Sequence, residues 1–143
     1  MGQATADDVA EFMATHFEDF PKSFRVDQVD EEGAVVTMVF NRTQLRPGGT
    51  ISGPTMMTLA DTAGFVAMLA HAGLQSRAVT TNLNIHFLRR PPPADLRARA
   101  VIRKLGKRSA VVAVAIFTVG QPAPVADATV CYAIPSSPKD STV

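Results

Sequence analysis

Between Pro47 and Ser76 the chain carries one formally charged side chain, Asp61. A lone carboxylate among apolar neighbours is expensive to bury, so it must reach a partner, water or a ligand. In such a setting an aspartate can act as general base or nucleophile. The structural alternative is an Asp61 bonded to backbone amides or to Arg46. Eight residues upstream stand Ser52, Gly53 and Pro54, after the turn-rich run Arg-Pro-Gly-Gly over residues 46–49. A helix starting there offers free N–H groups and a dipole that favour negative charge. Pro54 lacks an N–H, but Gly53 keeps its own and has no side chain to block approach. Ser52 stands in Thr-Ile-Ser-Gly-Pro, not in a Gly-x-Ser-x-Gly elbow, so it reads as a helix cap or ligand contact rather than a nucleophile.

Charge is segregated along the chain. Residues 1–32 sum to −7 and residues 77–108 to +8, although the whole chain is only +1. The basic block fits an anionic partner, or else a solvated strand face. Phe87 is the single aromatic residue among those bases. Base stacking needs more platforms than that, so nucleic acid is not expected as a partner. His16, His71 and His86 are scattered without metal-ligand spacing, and Cys131 is the only cysteine. Neither a metal site nor a disulfide framework is expected.

The elements that must position Asp61 follow from periodicity. The 143 residues, 46% hydrophobic and 19% charged, fit a single domain over 1–143. We expect an N-terminal helical segment over 1–32, a core over 34–134 and a flexible tail over 135–143. Helical spacing marks residues 6–17, and a strand is expected over 34–40. A second helix spans 54–72, from Pro54 to near Gly73. It is apolar nearly all round, which means burial or a membrane span. Asp61 at mid-length costs roughly 2.5–3.5 kcal/mol in a bilayer, so no membrane association is expected. Strands are expected over 78–88, 96–105, 109–119 and 125–134, giving an α+β fold. Over 79–87 apolar residues alternate with Thr80, Asn82, Asn84 and His86. Ser109 to Ala126 carries no charge and is apolar on both faces, so a second subunit should cover one of them. The start has no basic and apolar leader pattern, which suits a cytoplasmic protein.

The stretch from Gly49 to Ala63, with Ser52-Gly53-Pro54 and Leu59-Ala60-Asp61, resembles the helix-start signature of hot-dog-fold acyl-CoA thioesterases of the phenylacetate-degradation type. That signature is usually His-Gly-Gly, four residues, then Leu-Ala-Asp. Thr80 to Pro91 is similar to the family's second strand and its Leu-Arg-Pro exit. The resemblance covers residues 34–134 in order.

It implies a five-stranded antiparallel sheet wrapped around one long helix, with sheets joined edge to edge in a homodimer; a dimer of dimers is left open. It also implies sites at the subunit interface that use no cofactor. By position, Asp61 matches the general base or nucleophile. Gly53 matches the residue whose N–H polarises the thioester carbonyl, and Thr80 a hydroxyl that helps to position water. Arg46 falls where some members have Asn or Gln. Ser52, Pro54, Met57 and Asn82 complete the expected substrate contacts. Acyl-CoA needs bases beside an apolar tunnel, and Arg89, Arg90, Lys107 and Arg108 are expected to form that phosphate cluster. The competing reading is a non-catalytic module that binds acyl-CoA or a hydrophobic carboxylate. A hydratase would want an Asp/His pair, and none stands near residues 46–61.

Overall fold

A computed structural model describes residues 3–136. The chain opens with α1 (Ala6–His16), whose start is fixed by a reciprocal cap between Thr5 and Asp8. A short α2 (Phe20–Ser23) leads into β1 (Phe24–Val29) and β2 (Gly33–Met38). A 3-10 turn (Arg42–Gln44) precedes the long helix α3 (Gly53–Ala72). Four strands close the chain: β3 (Val79–Phe87), β4 (Leu96–Leu105), β5 (Ser109–Thr118) and β6 (Pro124–Ala133).

The strands form one antiparallel sheet in the order β1-β2-β4-β5-β6-β3. Its inner face wraps α3, which explains a helix with almost no polar side: Leu59, Ala60, Ala63, Val66, Ala67 and Met68 are fully excluded from water. This is the α+β hot-dog architecture, with six strands instead of the expected five. The extra strand is β1, inside the 1–32 segment expected to be helical, with helical spacing over 6–17 and no strand. Its alternation is interrupted by a bulge between Val26 and Gln28, so Phe24, Val26 and Val29 are the partly buried positions. Residues 137–143 of the expected tail lie outside the described residues.

A second bulge, between Thr80 and Asn82, matters more for function. Strict alternation would put Thr80 and Asn82 on one face. Instead Thr80 pairs with Tyr132 and Leu83 with Val130, both buried inner-face residues. Thr80 is thereby turned inward with Leu83 and Ile85. Asn82 is turned outward, opposite Cys131. β3 is also an edge strand, and Val79 and Phe87 on it are 59% and 49% exposed.

The charge segregation has a local use. Arg99 on β4 bonds Asp30 at 2.8 Å and Glu32 at 3.5 Å, and Arg97 lies 3.7 Å from Asp27. Part of the acidic N-terminal block is therefore matched by the basic strand two places away in the sheet. The β5 residues Val111, Ala113, Ala115 and Phe117 are half-buried on the outer face of the sheet.

Candidate active site

Asp61 sits two turns into α3, partly buried, on the wall of a cavity of about 530 Å³. The Thr80 hydroxyl donates to Asp61 Oδ1 at 2.7 Å. Neither a backbone amide nor Arg46 bonds this carboxylate among the described residues, so the structural alternative for Asp61 is not what the fold builds. The inward turn of Thr80 at the bulge makes the contact possible.

Below Asp61 the helix is held by a residue that the sequence did not single out. The Tyr132 hydroxyl donates to the Asp61 backbone carbonyl at 2.7 Å. Burial, and after it the negative charge of Asp61, push the Tyr132 phenol up, so it stays protonated and a donor. The hydroxyl occupies the space where a side chain at position 64 would begin, which accounts for Gly64 within the helix. A lone tyrosine in a chain without tryptophan, facing a mid-helix glycine, was the available signal.

The cavity wall comes largely from the N-terminal segment. Phe17, Phe20 and Phe24 face Phe65 of α3, while Glu18 and Asp19 join Asp61 as its carboxylates. Phe17 meets Phe65 edge-on, with centroids 5.9 Å apart. This aromatic wall was not foreseen, because no element was assigned to residues 18–32 beyond the helical segment.

The helix start forms a separate locale. Ser52 is the N-cap: its hydroxyl accepts from the Thr55 N–H at 3.2 Å and bonds the Thr55 hydroxyl at 2.8 Å. Pro54 occupies the first turn, where its missing N–H costs nothing. A Cβ on Gly53 would lie 3.3 Å from the Phe87 ring, so the helix start packs against the far end of β3. Eight residues separate Gly53 from Asp61, or about 12 Å of helix. Neither Gly53 nor Met57, which is 41% exposed, lines the cavity.

Other expected contacts are dispersed. Asn82 is on the outer face of β3, away from Asp61, because the Thr81 bulge reverses the alternation. Arg46 is exposed in its loop and lines no cavity wall with Asp61. The four expected phosphate ligands do not form one cluster within a protomer. Arg89 and Arg90 follow the Phe87 end of β3, level with Phe117 through Ala126 and Pro124. Lys107 and Arg108 precede Ser109 at the opposite end of the sheet, about 30 Å along β5. Arg89 Nη1 already donates to the Pro124 carbonyl at 2.6 Å. Among the described residues no group of three or more metal-ligating side chains converges, and no helix is long and apolar enough to cross a membrane.

Residues 48–133 match the model of a family described as the thioesterase superfamily. Among solved structures, a candidate thioesterase from a Silicibacter species is 33% identical, with a TM-score of 0.82 over 94% of this chain and 96% of that one. A candidate thioesterase from Ralstonia eutropha, described as phenylacetic acid degradation-related, is 25% identical, with a TM-score of 0.71 over 78% of this chain and 84% of that one. Zebra fish thioesterase superfamily member 2, at 19% identity, shares the fold with a TM-score of 0.79, covering 92% of this chain and 99% of that one. None of the curated proteins matches the chain.

Proposed function

The chain belongs to the thioesterase superfamily, and from that premise we propose that it hydrolyses acyl-CoA to a free acid and CoA. The observation that carries the reading is Asp61, aimed at a cavity and held by the Thr80 hydroxyl on one oxygen. Asp61 then attacks the thioester carbon or takes a proton from attacking water, and Thr80 fixes the carboxylate's orientation. Charge developing on the thioester oxygen needs an N–H donor, and Gly53 at the helix start offers one. The similarity to the Ralstonia protein supports the phenylacetate-degradation type of branch, with an aromatic or short- to medium-chain acyl group.

One protomer cannot bring both groups to one carbonyl across about 12 Å of helix. The fold suggests how two copies could. Gly53 packs on Phe87 at one end of β3, and Asp61 bonds Thr80 at the other. Two-fold antiparallel pairing of β3 edges sets the start of one strand beside the end of the other. Asp61 and Thr80 of one copy would then meet Gly53 of its partner, and a homodimer would hold two complete sites. The same pairing would carry Arg89 and Arg90 of the partner to the sheet end that holds Lys107 and Arg108. From Ser109 through Ala133 and Val79 to the next strand is about three strand spacings, or ~14 Å. That is where the CoA phosphates would lie.

Replacing Asp61 tests the assignment. Asp61→Asn should lower kcat at least about 100-fold on an acyl-CoA panel assayed with a thiol reagent, in protein whose circular dichroism is unchanged. Near-normal turnover in the folded variant removes Asp61 from the mechanism.

A further inference from the structure

The cavity beside Asp61 has an unbalanced charge. Its buried floor is Met13, Phe20 and Ala78, and its exposed rim includes Glu18 and Asp19. With Asp61, three acidic residues line it, and no lysine, arginine or histidine is among its lining residues. The bases nearest in sequence, Lys22 and Arg77, do not line it either.

Two consequences follow for a substrate with an anionic end and an acyl end. Phosphates would be repelled by this rim, so the CoA end must leave Asp61 in another direction and the cavity is left for the acyl group. The apolar floor suits hydrocarbon, whereas an acyl group ending in its own carboxylate would bring a further negative charge to Glu18 and Asp19. Specificity can rest on such a repulsive element as much as on attraction. We propose that the cavity takes the acyl end of the thioester and that Glu18 and Asp19 make it selective for acyl groups with an uncharged or hydrogen-bond-donating terminus over those ending in a carboxylate. The inference rests on the acyl-CoA reading.

Three six-carbon substrates isolate the charge: hexanoyl-CoA, ω-hydroxyhexanoyl-CoA and adipoyl-CoA. The native protein should use the first two within a few-fold of each other, and adipoyl-CoA with kcat/KM at least about tenfold lower. In the double variant Glu18→Gln/Asp19→Asn, which preserves side-chain size, the ratio of adipoyl to hexanoyl kcat/KM should rise by about tenfold. Equal use of adipoyl-CoA by the native protein, or an unchanged ratio in the variant, overturns the proposal. Were no substrate turned over, the acyl-CoA hydrolase reading would fail by itself. Calorimetric binding of the same three compounds to the native and variant chains then decides the selectivity: weaker adipoyl-CoA binding that the variant relieves upholds it, and equal binding rejects it.

Discussion

The sheet has two edges, and they are finished in opposite ways. β1 carries Arg25 and Asp27, is bent by a bulge, and is tied to β4 through Asp27, Asp30, Arg97 and Arg99. α1 also packs against it. Charge and bulging are the usual devices that prevent a sheet edge from recruiting another chain. β3 lacks the charge: over nine residues it holds no lysine, arginine or carboxylate, and Val79 and Phe87 stand half-exposed. Its bulge serves instead to turn Thr80 to Asp61. One edge is closed against partners, and the other is left open next to the candidate catalytic carboxylate. In the proposed composite site, the open edge is the one along which a second copy would pair.

The largest effect should come from charging the open edge. Asn82 and Asn84 are exposed on β3 with side chains outside the core, so Asn82→Lys/Asn84→Lys should leave the protomer folded. Light scattering should show the mass falling from near twice 15.2 kDa to near 15.2 kDa, with kcat reduced about 100-fold alongside. Arg25→Glu on the other edge should change neither. A native protein already at monomer mass and active would break the comparison.

Substituting Gly33 probes the closed edge at its turn. A Cβ there would collide with the Ala100 carbonyl, since β2 and β4 approach closely at Gly33 opposite Val101. Gly33→Ala should destabilise by about 1–3 kcal/mol, read from denaturant unfolding. A variant as stable as the native chain would mean that this edge tolerates separation of its strands.

A smaller loss is expected on the open side. Tyr132→Phe removes the donor from the Asp61 carbonyl and should cost about 1 kcal/mol. Because it shifts the turn of α3 that bears Asp61, kcat should fall more than KM rises. A stability change with unaltered kcat would make Tyr132 structural only.

How much of this was legible in the sequence depended on where alternation holds. The wrapped helix announced itself, because Met56 to Ala70 is apolar on every side around one carboxylate. The β4–β6 strands were also readable, since their runs are long and bounded by Gly106 and Gly120. Bulges defeated the rest. A period-2 reading cannot detect an inserted residue, so β1 went unseen and Asn82 was grouped with Thr80. The split of the four bases between two ends of one protomer's sheet was not legible for a different reason: proximity of Arg90 to Lys107 across a sheet is set by strand order, which the sequence does not display. The positions of Asp61 and Ser52 were legible because they depend on the helix itself, one within its length and the other capping its start.

The smallest effect concerns the electrostatic closure of β1. Asp30 is held well below the usual carboxylate range, chiefly by Arg99, whose guanidinium bonds it at 2.8 and 3.1 Å; Gln28 and the Glu32 and Gly33 amides add to this, against the opposing effect of burial. A carboxyl lowered on folding contributes stability above its unfolded value, near 4, and that contribution is lost as pH falls below it. The side chains are 27% and 32% exposed, so solvent screening limits the contribution to less than about 1 kcal/mol. Between pH 7 and about 3 the native protein should therefore lose slightly more stability than Arg99→Met, in which Asp30 no longer has its partner. Amide exchange should place the acid-induced loosening in β1 and the turn at Asp30, with β3 unchanged. Identical pH dependence in the two proteins would show that Arg99 does not hold β1 closed, and the bulge and α1 packing alone would then have to account for the contrast between the edges.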